Sequence, residues 1–127
     1  ERLKNEENQA VLHELGLIVV EGPNDVINLE TLGVVSVALC SNIVTEAQAK
    51  EIARLAREHG NGIIHLMLDN DEPGDNGMRR SLPLLAQEAP VRLLWNREGG
   101  QRQFLDRQPE SITQEEWQLI RSGVQVK

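Results

Sequence analysis

His65-Leu66-Met67-Leu68-Asp69-Asn70-Asp71-Glu72-Pro73-Gly74 is the stretch around which this chain is organised. Its apolar beginning, with Ile63 and Ile64 just before it, is too short for a helix and reads as a buried strand. The run stops at two carboxylates one residue apart, and Pro73-Gly74 then punctuates a loop. In an open α/β sheet, the carboxyl ends of the strands border the crevice that receives ligands. Asp69 and Asp71 in such a crevice, with Glu72 and Asp75 close by, repel one another unless something positive sits among them. A hard cation such as Mg²⁺ suits that role, because it takes oxygen ligands and usually only one or two carboxylates. An acidic turn leaving a strand is the structural alternative, and the spacing alone leaves both open.

Working outward, the chain alternates. Residues 1–15 are polar with scattered apolar positions (Val11, Leu12, Leu15) and read as a lead-in helix or linker; a domain with a C-terminal helix then spans 16–127. Leu17 to Val20 is a short aliphatic strand broken by Glu21-Gly22-Pro23. Asn24 or Asp25 is placed to cap a helix through Val26, Ile27, Leu29 and Leu32, with Gly33 just past its end. Val34 to Leu39 is the second strand, rich in β-branched residues. Thr45 and Gln48 form a capping box for a helix whose Ala49, Ile52, Ala53 and Ala56 share one face, and Gly60 stands where a left-handed cap is expected. After the acidic stretch, Met78 to Ala86 reads as a helix bent near Pro83, and Val91 to Trp95 as the fourth strand. Asn96 to Arg107 reads as an exposed loop, and a last helix starts at Thr113 with Glu116 closing a second capping box.

Strict alternation of strands and helices implies a four-stranded, mostly parallel sheet with helices on both faces, an α/β Rossmann-like architecture. Parallel strands point the same way, so Glu21 at the end of the first and Asp69 and Asp71 at the end of the third meet on one edge. Three carboxylates from distant sequence then share a crevice. That strengthens the case for a metal.

The quoted residues resemble the Toprim domain, shared by bacterial-type DNA primases, topoisomerases and certain nucleases. Its first motif, an apolar strand ending in Glu-Gly, is matched by Ile18-Val19-Val20-Glu21-Gly22-Pro23-Asn24-Asp25-Val26; its second, a strand ending in Asp-x-Asp and then Gly, by Leu66 to Gly74. The Glu-Gly-Pro-x-Asp-Val form, followed by Leu29 and Gly33, is most similar to the primase branch, and the resemblance runs from about Leu17 to about Trp95. It departs from the primase pattern at Ser41 and Asn42, which replace Gly-Thr, at Pro73, and at residues 99–105, which lack a further Asp-Pro-Asp pair. Asp106 is nearby but does not fit that pattern.

The resemblance implies a Toprim fold and Mg²⁺-dependent (or Mn²⁺-dependent) nucleotidyl transfer for RNA primer synthesis. It implies Glu21 as the proton-transfer group and metal neighbour, Asp69 and Asp71 as metal ligands, and Asp25 as a member of the acidic cluster. Gly22 and Gly74 are candidates for close backbone approach to metal or phosphate, as against plain turn chemistry. Arg79 and Arg80 are candidates for holding a phosphate, as against a solvated helix face. For a substrate contact, Asn42 has only its position in its favour. Implied partners are a single-stranded DNA template and nucleotides held by the full-length protein, and a helicase or other replication proteins. A metal-dependent Toprim nuclease and a non-catalytic interaction module are the competing readings. A topoisomerase is disfavoured because the chain has no Tyr to act as nucleophile.

Composition agrees. Aromatic residues make up 2% of the chain against 39% hydrophobic, so an aliphatic core is expected. The single Cys40 excludes an internal disulfide or a cysteine zinc site and fits a cytoplasmic setting. No run approaches the ~20 apolar residues of a membrane span, and no signal-peptide pattern is present. A net charge of −7 argues against a surface that grips nucleic acid all over. Because Glu rather than Met comes first, a piece of a longer protein is expected.

Overall fold

The computed structural model describes the backbone of residues 6–40, 44–95 and 104–125, with side chains as far as Ser122. Within these, β1 (Leu17–Val20), β2 (Ser36–Ala38), β3 (Ile64–Leu66) and β4 (Val91–Leu93) form one sheet in the order β2-β1-β3-β4. All three pairings are parallel. The helices are α1 (Glu6–Leu15), α2 (Pro23–Thr31), α3 (Glu46–His59), α4 (Glu72–Ala86) and α5 (Gln114–Gln125), with a 3-10 turn at Pro109–Ser111. The expected α/β architecture is the one found.

Side chains alternate across a strand, and here the alternation splits the core in two. Leu17 and Val19 face one side with Leu66, Ala49, Ile52, Ala53, Ala56 and Leu85, which come from β3, α3 and α4. Ile18 and Val20 face the other with Leu29 of α2, Met67, Ile112, and Trp117 and Ile120 of α5. Leu12 of α1 joins the first side and Leu15 the second. The first side is aliphatic, as composition leads one to expect. The second holds all three aromatics of the chain, Trp95, Phe104 and Trp117, with the Trp95 and Phe104 ring centroids 5.9 Å apart. Each fully buried side chain of this size contributes about 1.5–3 kcal/mol, so few aromatics suffice when every one is inside.

Both capping boxes form: Gln48 N–H donates to Thr45 Oγ1, and Glu116 N–H to Thr113 Oγ1. Three local expectations change. The residue capping α2 is Gly22, with Asp25 inside the first turn rather than at the cap. Gly60 is not left-handed (φ −139°); its lack of a side chain is used for packing, since a Cβ would lie 3.0 Å from the Leu12 carbonyl oxygen. The Pro73-Gly74 pair is not a loop but the first turn of α4, because Asp71 caps that helix by accepting the Gly74 N–H at 2.8 Å and Pro is well suited to a helix's first turn. Pro83 is accommodated within α4.

The strand order matters for the site. From β1 the chain runs to β2 on one side, and β3 lies on the other. The crevice of such a sheet opens where the connections diverge, outside the carboxyl ends of β1 and β3. Among the described residues, no helix is long and apolar enough to cross a membrane.

Candidate active site

Glu21 follows β1 directly, and Asp69 follows β3 after Met67 and Leu68 continue its direction; Met67 N–H still donates to the Val19 carbonyl at 2.8 Å. The two motifs therefore leave the sheet side by side. The Asp69 N–H donates to Glu21 Oε2 at 2.7 Å, a contact across 48 residues of chain. Glu21, Asp25 and Asp69 line one open cleft with Gly22, Cys40 and Glu110.

These carboxylates stand in each other's fields. Burial, then the charges of Glu21, Asp25, Asp71 and Glu110, push the Asp69 carboxyl up to about 7. Its Oδ1 is buried and finds no hydrogen-bond partner among the described residues. Burial also raises Glu21 above the ordinary range; the Asp69 N–H works against this, and Asp71 and Asp25 reinforce it. Buried acids that raise one another's pKa are short of positive charge. Among the described residues, no three His, Cys, Asp or Glu side chains stand ready as a closed ligand set. A hard divalent cation needs none, because Mg²⁺ is commonly held by one or two carboxylates with water and substrate phosphates. The donor set therefore fits such an ion.

Asp25 is 5% exposed. Both its oxygens are engaged: Oδ2 accepts the Gly22 N–H at 3.1 Å and Oδ1 the Glu110 N–H at 2.9 Å. Asp71 divides its duties, facing the acids electrostatically while its Oδ1 caps α4.

Gly74 and Gly22 differ. A Cβ on Gly74 would sit 1.9 Å from the Asp69 carbonyl oxygen, so that glycine is required by the first turn of α4 resting on the acidic loop. At Gly22 a Cβ would meet nothing among the described residues closer than 3.9 Å, and φ is −133°, open to any residue. Arg79 and Arg80 are exposed on α4; Arg79 pairs with Asp75 at 3.0 Å, and neither lines the cleft. His13, His59 and His65 do not line it either. His65 is buried in β3, where desolvation lowers its pKa. Ser41, Asn42 and residues 99–103 lie outside the described residues.

Sequence reasoning missed Glu110, Cys40 and Asn70. Glu110 reaches the cleft on the 3-10 turn, and Cys40 because its N–H donates to the Glu21 carbonyl at 2.7 Å. Asn70, the middle residue of Asp-x-Asp, is 2% exposed and donates from Nδ2 to the Phe104 carbonyl at 2.7 Å. The one available signal was a polar residue between two acids. No short-range pattern reveals a partner 34 residues away.

The Toprim-like family matches residues 18–101. Among solved structures, the fold is similar to a crystal structure of the Aquifex aeolicus primase comprising its zinc binding and RNA polymerase domains. The TM-score is 0.66 at 22% identity, over 91% of this chain and 27% of that one. This chain thus corresponds to little more than a quarter of the primase chain. None of the curated proteins matches it.

Proposed function

This chain belongs to the Toprim-like family, and from that premise we propose that it is the divalent-metal-dependent catalytic domain of a primase-like protein, serving nucleotidyl transfer in RNA primer synthesis. The observation that carries this reading is the junction of the two acidic motifs at the β1/β3 crevice, where Asp69 N–H meets Glu21 Oε2 and the Asp69 carboxyl is pushed up to about 7.

Asp69 and Asp71 would hold Mg²⁺ or Mn²⁺, with Glu21 beside them. The ion, when bound, supplies positive charge against phosphate oxygens. The chain's own residues do the rest. Glu21 is fixed by the Asp69 amide through one oxygen, and burial raises its carboxyl above the ordinary carboxylate range, the direction that favours a proton-transfer role. Gly22 leaves room beside it, and among the described residues no packing contact demands a glycine there. Asp71 orients the loop by capping α4. With a net charge of −7, the grip on template and nucleotide belongs to other parts of the full-length protein, where single-stranded DNA and replication proteins such as a helicase would engage.

The test is calorimetric titration with Mg²⁺ and Mn²⁺ on the wild type and on Asp69→Asn/Asp71→Asn, each with and without nucleotide. Saturable binding that the double variant loses is the expected result. No binding by the wild type under either condition would refute the metal-dependent reading.

A further inference from the structure

Six hydrogen bonds join one short segment, residues 104–112, to both acidic motifs and to α2 just after the first of them. On the Asp69–Asp71 side all three involve Asn70: its Nδ2 donates to the Phe104 carbonyl (2.7 Å), its N–H to the Arg107 carbonyl (2.8 Å), and its own carbonyl accepts the Asp106 N–H (2.6 Å). On the Glu21 side, Asp25 Oδ1 accepts the Glu110 N–H (2.9 Å), and Asn28 Nδ2 donates to the carbonyls of Pro109 (2.8 Å) and Ile112 (3.0 Å). The segment is itself anchored: the Arg107 guanidinium forks onto both carboxylate oxygens of Glu116 in α5 at 2.8 and 2.9 Å. A bidentate pair of this kind fixes orientation as well as position. The segment and its anchor on α5 lie beyond residue 101, where the family match ends.

We infer that residues 104–112 are a brace that sets the separation of the two acidic motifs, with Asn70, Asn28 and Asp25 as its positioning residues, and that Asp25 serves this brace rather than ligating metal. The inference about metal affinity rests on the function proposed above; the brace itself does not. Asp25 has already given both oxygens to backbone amides, so turning it toward an ion would give up two part-buried hydrogen bonds that tie α2 to the 3-10 turn. Asn70 and Asn28 carry no charge and still tie the loop and α2 to a common strip of chain. Groups that orient metal ligands from behind alter affinity about 10- to 100-fold when removed.

The experiment measures Mn²⁺ affinity and amide hydrogen exchange for the wild-type chain, Asn28→Ala, Asn70→Ala, Asp25→Asn and Asp69→Asn, at a temperature where each is folded. Asn28→Ala and Asn70→Ala are expected to weaken Mn²⁺ binding about tenfold while removing no acid. Asn28→Ala, altered only on α2, is also expected to speed exchange at Asp69 and Asn70 in the metal-free protein. Asp25→Asn should weaken binding no more than Asn28→Ala; a loss as complete as that of Asp69→Asn would overturn the role given to Asp25. Affinity unchanged within about twofold in both asparagine variants would overturn the positioning role. Should the wild type bind no Mn²⁺, the functional reading fails on its own, and exchange decides the brace: faster exchange in both motifs upholds it, and a change confined to residues 109–112 rejects it. If Asn70→Ala does not fold, Asn28→Ala, at a half-buried position, carries the test.

Discussion

At the scale of single residues, the two glycines that follow the acids separate structural from functional need. Gly74→Ala would drive a methyl group into the Asp69 carbonyl. It is expected to destabilise the chain by about 2–3 kcal/mol, read as a fall in the thermal midpoint, because the clash is with backbone rather than with a flexible side chain. Gly22→Ala should cost under about 1 kcal/mol and leave the fold intact, so any loss of metal or nucleotide binding in that variant reports on the cleft. Asp69 makes a second prediction. Burial and the neighbouring acids push its carboxyl up to about 7, from 3.8 for the free side chain. Stability from this group is fully present below the lower value and is lost as pH rises through the higher one, since the folded state then holds a carboxylate it cannot solvate. Asp69 should therefore make the metal-free protein less stable at pH 8 than at pH 5. Asp69→Asn should recover about 1 kcal/mol at pH 8, a figure reduced for the group's partial exposure. Thermal melts of wild type and Asp69→Asn at the two pH values check this, since the opposing contribution of buried His65 is common to both; a difference between the two proteins that does not shift toward Asp69→Asn from pH 5 to 8 would contradict it.

At the scale of elements, the cap of α4 is the same Asp71 that is proposed above as a metal ligand. Asp71 caps the helix through Oδ1 and adds charge to the cleft. These duties separate by substitution. Asn caps a helix about as well as Asp, so Asp71→Asn should keep stability within about 0.5 kcal/mol while weakening Mn²⁺ binding. Asp71→Ala should weaken binding and also lose about 1 kcal/mol with the cap, measurable by paired denaturation and titration. The same coupling explains why an acidic stretch read as a loop at Pro73-Gly74 turned out to be a helix start: the signals for turn and for first helical turn share Pro and Asp, and only the hydrogen bond to Gly74 distinguishes them. Likewise Gly60 followed the composition of a left-handed cap, but its backbone is extended because α1 packs directly against it.

At the scale of the whole molecule, the family match over 18–101 leaves out much of one side of the core. Phe104, Ile112, Trp117 and Ile120 all pack on the second face of the sheet, and Leu12 and Leu15 come from before the match. A fragment limited to 18–101 would expose Ile18, Val20 and Leu29 and lose the segment that ties the acidic motifs together. It is expected to lack cooperative thermal unfolding by circular dichroism, whereas the full chain should show it; a cooperative transition in the fragment would show that the second face is dispensable.

Read without a structure, the chain announced its strands by short aliphatic runs, two of its helices by capping boxes, and its fold by alternation. It also brought Glu21, Asp69 and Asp71 to one edge, because parallel strands must end together. These features depend on residues within a few positions of each other, or on strand direction alone. The strand order, the fifth carboxylate from Glu110, the double engagement of Asp25 and the bonds of Asn70 and Asn28 to residues 104–112 were decided only by tertiary structure. The strand order rests on pairings between distant segments. The side-chain bonds to residues 104–112 span 34 to 85 residues, and a hydrogen bond to a backbone carbonyl or amide leaves no mark on the identity of the residue that supplies it.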